Sequence, residues 1–135
     1  MPRPALLRLL CLTLSLGPVL ACGSSTDEGS GQGVPAADIV IPLNASTLGA
    51  AAFNPHTFTV SFAAQPRVVW GNRDRTSTYN GSTGTTHHLL SDDGVFDSGT
   101  LAPGKAFGFT FDSAGTYAYH CTIHPTMVGE VVITP

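Results

Sequence analysis

Three residues near the carboxyl end have the types and spacing to hold a metal. Cys121, His124 and Met127 form a Cys-x2-His-x2-Met set. A thiolate, an imidazole nitrogen and a weak, long thioether bond suit copper when a second imidazole completes a trigonal plane of two histidines and one cysteine. That imidazole is available upstream, in Thr85-Thr86-His87-His88-Leu89-Leu90, at either of two adjacent histidines. Zinc accepts a Cys/His2 set tetrahedrally, but thioether sulfur is a poor zinc ligand, so the set favours copper. Copper catalysis needs an open coordination position or a second metal site. Four candidate ligands leave no open position, and His56 is too far along the chain from His88 to suggest a second site. The chemistry expected is therefore one-electron transfer between Cu(II) and Cu(I), and not turnover of a substrate.

Such ligands need rigid elements behind them, and the chain offers strands. Ile39-Val40-Ile41-Pro42-Leu43, Thr57 to Phe62, Arg67 to Asn72, His87 to Ser91, Val95 to Ser98, Lys105 to Phe111, Thr116 to Cys121 and Gly129 to Thr134 are short β-type runs. Gly, Pro, Asn and Asp punctuate them. Phe58, Val60 and Phe62 share one face of their run, as do Phe107, Phe109 and Phe111. Ala45 to Asn54 reads as irregular, with a helical turn at Thr47 to Ala52. Arg73 to Thr86 reads as a polar loop and Asp92-Asp93-Gly94 as a turn. About eight short strands without an amphipathic helix predict an all-β fold, a two-sheet antiparallel Greek-key sandwich over residues 38–135. Side chains alternate faces along a strand. Tyr117, Tyr119 and Cys121 should therefore point inward and Ala118 and His120 outward, with Val131 and Ile133 resuming the buried stripe after the ligand loop. Trp70 and the phenylalanines are expected in the core, and His56 and His120 at the surface.

The amino terminus carries an address. Arg3 and Arg8 precede the apolar run Leu9 to Leu16, too short for a stable span, and Gly17-Pro18 breaks it. This is the layout of a secretory signal peptide, residues 1–21. Val19-Leu20-Ala21-Cys22-Gly23 resembles a bacterial lipobox, which implies acylation of Cys22. Residues 22–37 then form a flexible Gly/Ser linker. The exported domain is expected on the periplasmic side of the cell envelope, lipid-anchored to a membrane; stable anchoring needs more than one acyl chain. With Cys11 removed and Cys22 acylated, Cys121 is the only thiol left and has no disulfide partner. The mature chain has four basic residues against nine acids. That excludes nucleic acid as a partner, which calls for a basic face.

Several stretches resemble the cupredoxins, the small blue-copper proteins, in their plastocyanin/amicyanin branch. They are Phe53-Asn54-Pro55-His56-Thr57-Phe58, Val68-Val69-Trp70-Gly71-Asn72-Arg73-Asp74, Ser91 to Gly99, and Tyr117-Ala118-Tyr119-His120-Cys121. The His-x2-Met spacing of the ligand loop, with Pro125 after the histidine, is amicyanin-like. The resemblance implies a cupredoxin fold holding one type 1 copper. It implies Cys121, His124 and one upstream histidine as equatorial ligands and Met127 as the axial ligand. Strands of that family read His, then Asn or Thr, then an aliphatic residue. On that pattern His87 is the ligand and His88 stands in the Asn/Thr place. The implied function is a monomeric electron carrier between envelope redox proteins, exchanging electrons through the solvent-facing edge of His124. The alternative is a copper-binding or delivery protein without a redox circuit. Such sites tend to be rich in Met and His, and this chain has two methionines, one of them Met1.

Overall fold

The alternating runs become strands that bury one face each, and the core lies between two sheets. The computed structural model describes residues 36–64, 66–78 and 81–135. The signal peptide, Cys22 and all of the linker except residues 36 and 37 lie outside the described residues.

The strands, in chain order, are β1 (Ile39–Ile41), β2 (Thr57–Ser61), β3 (Arg67–Asn72), β4 (Arg75–Thr78), β5 (Gly81–Gly84), β6 (Leu89–Ser91), β7 (Ala106–Thr110), β8 (Gly115–Cys121) and β9 (Val128–Thr134). One sheet has the order β1-β3-β7 and the other β2-β9-β8-β6. The fold is the all-β, two-sheet sandwich that the sequence predicts, but its sheets are mixed. β1 pairs with β3, and β2 with β9, in parallel. The chain leaves the first sheet after β1, forms β2 in the second sheet, and returns as β3. A hairpin makes neighbours antiparallel, whereas an excursion of this kind brings the chain back from the same end. The remaining pairs, β3 with β7, β6 with β8 and β8 with β9, are antiparallel.

Ile39, Ile41, Val68, Trp70, Leu89, Phe111, Tyr119, Cys121, Val131 and Ile133 are buried. Trp70 of one sheet meets Tyr119 of the other edge-on, with ring centroids 5.6 Å apart. Each large side chain so buried contributes roughly 1.5–3 kcal/mol, against about 0–1 for an exposed ion pair. The apolar interior is therefore what holds the frame under the ligand loop. The inward stripe of Tyr117, Tyr119 and Cys121 is as parity requires. Phe111 is fully inside, and Phe107 and Phe109 pack at the margin. Phe62 departs from expectation: β2 ends at Ser61, the chain turns into a 3-10 segment, and the ring is left 39% exposed.

The helical turn expected at Thr47 to Ala52 is found in 3-10 form, and one segment read as a loop is more ordered than the sequence pattern suggests. Ala45–Thr47 and Gly49–Ala52 are 3-10 turns, with Ala45 and Ala52 buried. The polar stretch after Arg73 is a hairpin: β4 pairs with β5 from Arg75–Gly84 to Thr78–Gly81. A run of Ser, Thr and Gly has no apolar period, so hydrophobic patterning does not reveal it.

Candidate metal centre

β8 delivers Cys121 at its inner end, and β9 resumes at Val128. The intervening loop is closed by its own backbone. Cys121 N–H donates to the Met127 carbonyl at 3.0 Å, and Met127 N–H to the His124 carbonyl at 2.9 Å. Six residues are thereby held over the end of the sandwich. Met127 is fully buried, and His124 is half-buried.

The upstream histidine comes from the facing segment. His87 exchanges backbone hydrogen bonds with Leu101, at 3.1 and 2.8 Å. Next along, β6 pairs Leu89 with Cys121. This register puts the buried His87 beside the thiol and turns His88 to the outer face, where its Nε2 meets Asp97. His120 also faces outward, with Nδ1 2.7 Å from Asp92 Oδ1. His56 is exposed. The structure thus brings together His87, Cys121 and His124, whose ligand atoms all lie within 4.8 Å of one another.

The spacing of this group suits the ligands of one ion. Cys121 Sγ lies 3.8 Å from His87 Nδ1 and 3.7 Å from His124 Nδ1. A nitrogen at roughly 2.0–2.1 Å and a sulfur at roughly 2.3 Å from one ion stand about 3.8 Å apart at 120°, and about 3.6 Å at the tetrahedral angle. The two observed sulfur–nitrogen spacings fall in this range. The two imidazole rings are inclined by 60° with centroids 5.2 Å apart. The buried thiol is prepared as well. Burial pushes the Cys121 pKa up, but the His87 ring, backbone hydrogen bonds at His88 and His124, and the His124 ring outweigh it and bring it down to about 6. The thiolate is the metal-binding form.

Behind His87 lies a polar network that motif reading does not single out. Asp74, 2% exposed, places Oδ2 3.1 Å from His87 Nε2. Its Oδ1 accepts from the Asn44 N–H at 2.8 Å. Asn72 accepts from the Asp74 N–H and donates to the carbonyls of Thr85 and Leu101, each at 2.9 Å. Both flanks of His87 are thereby tied to the end of β3. The available signal was an acid and an amide directly after a core strand, in Trp70-Gly71-Asn72-Arg73-Asp74. Their partners stand more than ten residues away, beyond the reach of local pattern.

A mixed two-sheet sandwich with a buried His-Cys-His group at one end defines a mononuclear copper protein of the cupredoxin class. Residues 43–134 match the copper-binding proteins of the plastocyanin/azurin family. The chain belongs to that family, whose members are electron-transfer copper proteins, and its site is typical of one type 1 copper. Plastocyanin of Scenedesmus fuscus is 30% identical over 98 residues, covering 64% of this chain and 88% of the relative. Amicyanin of Paracoccus denitrificans is 59% identical over a 29-residue stretch, 22% of each chain. Among solved structures, a purple cupredoxin from Nitrosopumilus maritimus superposes with a TM-score of 0.58 at 27% identity, over 73% of this chain and all of the other.

Proposed function

We propose that this chain is an electron carrier whose copper would be held by His87, Cys121, His124 and Met127. The observation that carries this reading is that Nδ1 of His87 and Nδ1 of the half-buried His124 both lie 3.7–3.8 Å from the buried Cys121 Sγ, at one end of the sandwich. Bound copper would supply a one-electron Cu(II)/Cu(I) couple. The protein's own part is to hold the ligands in one arrangement for both oxidation states, because buried strands and a backbone-closed loop resist rearrangement.

His124 is the ligand nearest solvent, and Ile123, Pro125 and Thr126 around it are exposed. Ile123 is 52% exposed. A redox partner docking over this edge would cover the small area usual for transient electron-transfer encounters. Export, acylation at Cys22 and a tether through residue 37 would restrict that partner to the cell envelope. The chain works as a monomer in this reading and does not turn over a substrate.

The test is the visible spectrum of the purified protein after Cu(II) addition. An intense blue band should appear, vanish on reduction, and be absent from Cys121→Ser. A stoichiometric but colourless complex would overturn the electron-carrier reading and favour copper holding.

A further inference from the structure

We infer that Asp74 is a positioning residue that sets both the tautomer of His87 and the balance between the two copper oxidation states. This rests on the reading of His87 as a ligand. The carboxylate is buried, and its two oxygens face two donors, the Asn44 N–H at 2.8 Å and His87 Nε2 at 3.1 Å. A carboxylate can only accept. Nε2 must therefore carry the imidazole proton, and the lone pair of neutral His87 is left on Nδ1, the atom aimed at Cys121 Sγ. The other tautomer would put a lone pair against the carboxylate and a proton against the thiolate.

The placement of Asp74 is itself rigid. Its N–H is held by Asn72 Oδ1, and its carbonyl accepts the Thr85 N–H at 2.9 Å. The carboxylate lies on the far side of the His87 ring from the thiol, in surroundings where charge is poorly screened. A partner there raises the basicity of the ligating imidazole. Both effects favour Cu(II) over Cu(I), so Asp74 lowers the reduction potential. A backbone carbonyl in the same place would fix the tautomer without adding a formal charge.

The experiment compares the copper-loaded protein with Asp74→Asn, which keeps size and one acceptor but removes the charge. Cu(II) affinity should fall 10–100-fold, the range for removal of a group that orients a metal ligand. Cu(I) affinity should fall less, and the midpoint potential should rise. A tenfold difference between the two losses corresponds to 59 mV for one electron. A variant with unchanged potential and Cu(II) affinity would overturn the role of Asp74. Absence of the blue band in the unsubstituted protein would instead overturn the ligand reading, and the potential-setting role with it. If Asp74→Asn does not fold, nitrogen-15 NMR of the unsubstituted, diamagnetic Cu(I) protein decides. A slowly exchanging Nε2–H on His87 supports the assignment, and an unprotonated Nε2 overturns it.

Discussion

Lowering the pH of the metal-free protein should destabilise it through Cys121, by an amount the site geometry sets. The folded thiol ionises at about 6, three units below its ordinary value of 9.0, because the His87 and His124 groups outweigh the cost of burial. Between those two values the unfolded chain binds the proton and the folded chain does not. Stability then rises with pH across the window. The contribution is complete above pH 9 and is lost as pH falls through 6. Three units correspond to about 4 kcal/mol at most. Solvent beside the half-buried His124 screens part of this, so about 2–3 kcal/mol is expected. Urea unfolding of the metal-free protein and of metal-free Cys121→Ser, each from pH 9 to pH 6, isolates it, since other titrating groups are common to both. The stability difference between the two proteins should narrow by that amount at the acid end. Parallel curves would refute the reasoning, because a buried thiol without favourable histidine contacts keeps its proton in the folded state across this window.

Two further tests concern single side chains. His87→Ala should abolish the blue band and weaken copper binding severely, whereas His88→Ala should keep the band, because His88 lies on the outer face paired with Asp97; equal losses in the two spectra would contradict the register of β6. Gly129→Ala should cost about 1–3 kcal/mol in urea unfolding, since the new Cβ would lie 2.5 Å from the Tyr119 ring oxygen, itself walled in by Phe53 and Trp70. Gly108→Ala is the control: the atoms in its way belong to the guanidinium of exposed Arg67, which can swing aside, so its unfolding midpoint should barely move.

Much of the site was legible because its information is local. Cys121, His124 and Met127 share one loop, so ligand softness and spacing were enough to nominate them. Strand parity placed Tyr117 and Tyr119 inside with Cys121, and the burial pattern of β8 agrees. The choice of His87 over its neighbour needed more than parity, since Leu89 and Leu90 are both aliphatic. It was the pairing of Leu89 with Cys121 that turned one imidazole toward the thiol and the other outward.

The sequence by itself determined the all-β class, the copper chemistry of the loop and the inward stripe that leads to it, because these follow from periods of two and from residues a few positions apart. Only the tertiary structure decided the parallel pairings of β1 and β2, the polar hairpin after Asp74, and the carboxylate behind His87. Each depends on groups far apart in the chain. Asn44 and Asp74, 30 positions apart, meet within hydrogen-bond distance just beyond the paired strands β1 and β3. Asp74 could be read as a surface acid until the fold removed it from water, and a buried carboxylate needs donors that only the assembled sandwich supplies.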